Sequence, residues 1–338
     1  GYNMFNYCSS LVTVNAPLLI TISSQTFNHC ENLVTVNAPL VQDIQANAFD
    51  NCYLLADVNF GDKVEYIGAD AFVECHSLTG LNLPLVTELR AKTFYGCTSL
   101  TNIEVPNVTT LGSQTFGLCS ALTGISMPKV TKISDAAFAN CSSLVSAEFS
   151  PELSSIGEDA FDNCGNLSSF SNTSNVKEIG YSAFAYNTKL PNLDLSSVEV
   201  IGEKAFQYCQ SMTELSLPNI KEIGLNAFNQ CIALNKVTIE SMEVAFGSLP
   251  FYQCRPLTVY CHRDSSADNL GLYPSGSTLI YFEDDYDEEG YYKYAVEGGY
   301  LYIDLETGTV VKADDTVTKA IVPDKVLETN VVAIGEQA

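Results

Sequence analysis

Twelve cysteines, three histidines and a run of carboxylates are the side chains of this chain with the most capacity for chemistry. A thiolate beside a histidine could act as a nucleophile, but the two must converge in a pocket. Cys261 and His262 are neighbours in a β-rich stretch and are expected to point apart. His29 and His76 lie near no serine motif and no metal motif. Gly-x-Ser-x-Gly, His-Glu-x-x-His and phosphate-loop patterns are absent. No Cys-x-x-Cys occurs, so the usual zinc signature is missing too. The acidic run comes nearer to a known site. Asp285, Asp287, Glu289 and Gly290 match the first half of a calcium loop. The bidentate acid is due at Val296, however, and Glu297 comes one residue late. These three acids are weak cation candidates; no catalytic residue and no cofactor is expected.

The cysteines are better explained by what positions them. A phenylalanine recurs at Phe5, Phe27, Phe49, Phe72, Phe94, Phe116, Phe138, Phe161, Phe184, Phe206, Phe228 and Phe251, every 22 or 23 residues. Cysteine follows three residues later in every unit but the ninth, which has Asn187. A leucine or methionine comes three further on, as at Leu33, Leu100 and Met212. An Ile-Gly or similar pair precedes each phenylalanine, as at Ile67-Gly68 and Ile201-Gly202. The unit reads I-G-x-x-A-F-x-x-C-x-x-L-x-x-V-x-L-P-x-V. Leu100, Ile103 and Val105 carry the L-x-x-L-x-L heart of a leucine-rich repeat, whose period spans about 20–29 residues.

This reading predicts a mainly β, right-handed leucine-rich repeat solenoid of about 12 coils. Its strands are short, parallel and ended by proline. The A-F-x-x-C piece is expected to form a single helical turn. Strand spacing near 4.8 Å would make a rod or shallow arc on the order of 60 Å long. Eleven cysteines then occupy one inward position, with parallel Cβ vectors that do not face each other. A reduced thiol ladder is expected rather than disulfides, and it survives best in an anaerobic habitat or inside a cell. Cys261 is off the ladder, which leaves a Cys254–Cys261 bridge open.

The pattern resembles the BspA-like leucine-rich repeat family, found on surfaces of anaerobic bacteria and some parasitic protists. The resemblance covers residues 1 to about 260. It implies a secreted or cell-surface protein, often linked to adhesion, with no catalytic residues.

Organisation follows from where the pattern fades. Residues 1–254 read as the solenoid, 255–282 as a closing element, and 283–338 as an acidic loop with a small β-rich segment that begins a further repeat. In the twelfth unit Pro250 replaces the alanine, and Leu257–Cys261 loses the usual phase. Both ends fall inside a repeat, which suggests a piece of a longer chain.

Partner classes are bounded by charge and by the exposed columns. Net charge is −24, which disfavours nucleic acid and anionic lipid. No apolar run approaches a membrane span. Ten residues after each phenylalanine stands an outward position, including Asn15, Asn37, Asn59, Asn82, Glu104, Ser126, Glu148 and Asp194. The column two residues earlier is also small and polar, as at Gly80, Asn102 and Gly124. Neither column has an aromatic, so the strongest signatures of glycan platforms and protein hot spots are missing. The Asn15–Asn82 ladder is either a partner-binding amide row or a solvated face whose amides satisfy one another. Tyrosines concentrate at the other end: Tyr286, Tyr291, Tyr292 and Tyr294 join the acidic run. That segment reads as a partner patch or as the packing of a small β unit. Three functions are compatible with all this. They are a monomeric surface scaffold that contacts protein or extracellular matrix, a structural spacer, and a glycan-binding module working through the C-terminal tyrosines.

Overall fold

The structure, a computed structural model, describes residues 2–282, 289–296, 299–314, 317, 322, 325–326 and 329–334. It is a parallel β-solenoid in which each repeat makes one coil. A first strand column runs through Thr13–Asn15, Thr35–Asn37, Asp57–Asn59, Gly80–Asn82 and Asn102–Glu104. It continues through Gly124–Met127, Ser146–Phe149 and Ser169–Phe170, and after the ninth coil through Glu214–Leu217, Lys236–Ile239, Thr258–Cys261 and Thr278–Tyr281. Register is set by the repeat, as in Glu214↔Lys236 and Leu215↔Val237. Glu214 and Ser216 are exposed while Leu215 and Leu217 are buried, so one face of each strand meets the core.

A second column of two-residue strands, unassigned in the sequence reading, lies at the Ile-Gly pair. From Lys132–Ile133 to Ala245–Phe246 it is an unbroken six-stranded parallel sheet. Its isoleucines point inward, as Ile156, Ile179 and Ile201 do. The glycine that follows lets coils approach closely. A Cβ on Gly68 would stand 2.3 Å from the Ala46 nitrogen in the preceding coil.

The A-F-x-x-C segment is not the helical turn expected from its length. The residues two before and two after each core phenylalanine adopt left-handed backbone in all twelve coils, as at Gln25 (φ 56°) and His29 (φ 55°). This alternation aims donors along the solenoid. Gln25, Phe27 and His29 donate to the carbonyls of Ala46, Ala48 and Asp50 in the next coil. Thr26, Asn28 and Cys30 donate to carbonyls three residues back. Each backbone N–H from Gln25 to Cys30 thus has a partner, which a helical turn of this length would not achieve.

Inside, the phenylalanine rings stack from Phe5 to Phe251. Phe138 lies 5.3 Å from Phe116 and 5.0 Å from Phe161, centroid to centroid, with planes 9° and 7° apart. Tyr273 takes the ring position of one more coil. It lies 5.4 Å from Phe251, and its hydroxyl donates to the Ala267 carbonyl at 3.0 Å. The twelfth coil is one residue short before its strand, yet Val259 still pairs with Val237. Sheet pairing therefore absorbs the sequence irregularity. C-terminal to this, Tyr292–Val296, Gly299–Asp304 and Thr309–Ala313 form an antiparallel sheet over Leu301, Ile303 and Val310.

Candidate binding face

The residues with intrinsic chemistry are used for architecture. Cys8 is exposed; the other eleven cysteines are buried and all twelve are free thiols, Cys254 and Cys261 among them. Each ladder thiol after Cys8 donates to the phenylalanine carbonyl of the preceding coil, as Cys119 Sγ does to Phe94 O at 3.1 Å. Asn187 makes the same bond through Nδ2 to Phe161 O at 2.8 Å. Burial pushes the Cys30 thiol up to about 11 and those of Cys75 and Cys97 well above their ordinary value. Such thiols stay protonated, so they are poor nucleophiles and poor metal ligands. The histidines stack on neighbours instead of meeting thiols. His29 lies 4.6 Å from the Tyr7 ring and His76 lies 5.3 Å from Tyr53. His76 also contacts Glu74 at 2.5 Å.

Among the C-terminal residues singled out above, Asp285, Tyr286 and Asp287 lie outside the described residues. Glu289 is ion-paired with Lys312 at 2.9 Å. Lys312 in turn lies over the rings of Tyr291 and Tyr302, at 5.7 and 4.8 Å. Tyr292 and Tyr294 are half-buried against Leu301, Ile303 and Val310. Among the described residues, no group of three metal-ligating side chains converges.

The outward strand columns run along one side of the solenoid, divided among four sheets. At its start, Asn37 Nδ2 donates to Asn15 Oδ1 at 2.8 Å, and Asn59 Nδ2 to Asn37 Oδ1 at 2.9 Å. These amides satisfy one another. Asn82 does not join them, because the sheet breaks between Asp57–Asn59 and Gly80–Asn82. Beyond the break the face sinks into an open groove of about 740 Å³ over the fifth to eighth coils. Gly124, Ser146 and Ser169 form its floor because their side chains are small; Glu104 and Glu148 rise beside them. Ser126 bridges toward Glu148, donating to Oε2 at 3.0 Å. Asp194, exposed, stands at the equivalent position of the ninth coil.

The face is short of bases. A few acids elsewhere are paired: Glu199 meets Lys177 at 3.4 Å and Lys221 at 2.6 Å, and Arg90 meets Glu88 at 2.7 Å. Among the described residues, Glu104, Glu148 and Asp194 make no ion pair. Lys236 is the single base in the two strand columns of the first eleven coils, and it faces Glu214 at 4.0 Å.

Parallel strand columns, a stacked phenylalanine spine and a 22- to 23-residue coil define a leucine-rich repeat solenoid. The BspA type leucine rich repeat model matches residues 1–123, 72–191 and 186–264, and the chain belongs to that family, one that is typically non-catalytic. Among solved structures, a leucine-rich repeat protein from Bacteroides ovatus is 23% identical, with a TM-score of 0.53 and coverage of 83% of this chain and 86% of that one. A leucine rich cell surface protein from Faecalibacterium prausnitzii is 24% identical, with a TM-score of 0.39 and coverage of 68% and 79%. Among curated proteins, none matches the chain. No helix among the described residues is long and apolar enough to cross a membrane.

Proposed function

We propose that this chain is a non-catalytic binding scaffold of a bacterial cell surface, which contacts a protein or matrix partner through its strand face. The observation that carries this reading is the open groove that the strand face forms over residues 101–171, with the exposed carboxylates of Glu104 and Glu148 in its lining. Family membership supports a surface setting, and the reduced thiol ladder fits an anaerobic one.

The test is retention of the labelled chain on a solubilised extracellular-matrix preparation, beside a variant carrying Ser126→Arg and Ser146→Arg. Both positions are exposed, so the variant should fold. Micromolar or tighter retention that the variant loses is expected. No retention of either form would favour the spacer reading, which the small, polar strand columns also suit. Retention that survives in the variant but is lost on changing Tyr291 to alanine would move the site to the C-terminal sheet.

A further inference from the structure

The turn flank of the ninth and tenth coils carries a pair of side chains that the repeat does not require. Tyr186 and Tyr208 each stand two residues after a core phenylalanine. Their rings stack with centroids 4.9 Å apart and planes 13° from parallel. Among the described residues they are the only two tyrosines stacked on each other; Tyr7 and Tyr53 stack on His29 and His76 instead. Tyr186 is 46% exposed, and Tyr208 is partly exposed. Among the described residues no hydrogen bond holds either hydroxyl, whereas that of Tyr302 is held by Asp314 at 2.7 Å. The backbone is the same in both coils, with φ 61° and 62°, so both side chains leave the turn in the same direction.

The pair sits where the stack is interrupted. The first strand column has no strand in the ninth coil; it stops at Ser169–Phe170 and resumes at Glu214–Leu217. The same coil places Asn187 in the thiol ladder, with its amide oxygen buried and unpartnered.

We propose that Tyr186 and Tyr208 are a site of oxidative cross-linking, where a haem peroxidase with hydrogen peroxide joins them as dityrosine and rivets the ninth coil to the tenth. Each phenol gives up its hydroxyl hydrogen as one proton and one electron. The two phenoxyl radicals combine through the ring carbons beside their oxygens, which forms one carbon–carbon bond. The hydrogens on those carbons then move to the oxygens and restore both phenols. Two protons and two electrons have left, and they reduce one hydrogen peroxide to two waters. The ladder thiols do not compete, because they are buried and protonated; Cys8 is the exposed exception. The site makes no use of the strand face, so it stands apart from the binding role proposed above.

The test treats the chain, with Cys8 alkylated beforehand, with a haem peroxidase and one equivalent of hydrogen peroxide. Mass spectrometry of the digested monomer should find one dominant cross-link, joining the peptides that hold Tyr186 and Tyr208 and lighter than their sum by two hydrogens. Pre-alignment should raise its yield roughly tenfold or more above that of any other tyrosine pair. Tyr186→Phe and Tyr208→Phe keep a ring in the stack, and each should abolish the product. The cross-linked chain should melt at a higher temperature than the untreated one, because the closed loop restricts the unfolded state, and the treated Tyr186→Phe chain should show no such rise. Coupling spread over the C-terminal tyrosines, coupling only between molecules, or no dityrosine under conditions that couple free tyrosine would overturn the proposal. A cross-link that leaves the melting temperature unchanged would overturn the rivet.

Discussion

Asn187 Nδ2 lies 2.8 Å from the carbonyl oxygen of Phe161, where every other coil after the first places a cysteine thiol. The ladder position therefore requires an inward donor of small size, not sulfur as such. Asn187 supplies the donor but also brings an oxygen, Oδ1, that is buried with no protein partner.

Asn187→Cys should raise stability by about 1 kcal/mol, because an unpartnered buried acceptor is removed while the bond to Phe161 is kept. A urea midpoint at or below that of the parent chain would contradict this. Asn187→Ala should do the opposite, since it leaves a void and removes the donor.

Thiol accessibility tests the ladder directly. A thiol-reactive disulfide reagent should titrate about one group in the native chain, the exposed Cys8, and all twelve after denaturation. Rapid native reaction of several thiols would mean that the stack is open.

The left-handed turn positions carry several residues unsuited to them. Leu118, two after Phe116, has φ 62° and an exposed side chain. Leu118→Asn should gain about 1 kcal/mol, because asparagine tolerates this backbone far better. Leu118→Thr, a branched residue, should lose stability. Thermal unfolding of the pair distinguishes a backbone effect from one of hydrophobicity, under which both would shift together.

Acidification should stabilise the solenoid over a defined window. Burial, then the neighbouring Asp159, raises the Asp162 carboxyl from an ordinary 3.8 to about 6. Between those values the native chain holds more protons than the unfolded one, so stability falls as pH rises from about 4 to 6. Asp162→Asn should therefore raise the melting temperature at pH 7.5 and change it little at pH 4. An equal shift at both would refute the assignment.

Much of this was legible in the residues alone. The period placed the phenylalanine spine, the leucines and the inward cysteines, because a core residue of a stacked coil has the same surroundings in each repeat. The outward columns were also readable, since a strand alternates its faces. The cysteine ladder could be read as apolar and unpaired. Its hydrogen bond to the preceding coil could not, because that acceptor lies 25 or 26 residues away and only stacking brings it near.

What the sequence determined, then, is the repeat, the family and the interior. Tertiary structure decided the rest. Left-handed turn residues include Lys92, Leu118 and Ala136, none of which signals that backbone. Hydrogen bonds between coils impose it, overriding local preference. The second strand column exists because neighbouring coils align two residues that are too few to read as a strand. Tyr292 and Tyr294 became half-buried wall rather than open platform once the antiparallel sheet closed over Ile303. The groove with Glu104 and Glu148 arises the same way: residues 44 positions apart line one depression only when successive coils stack.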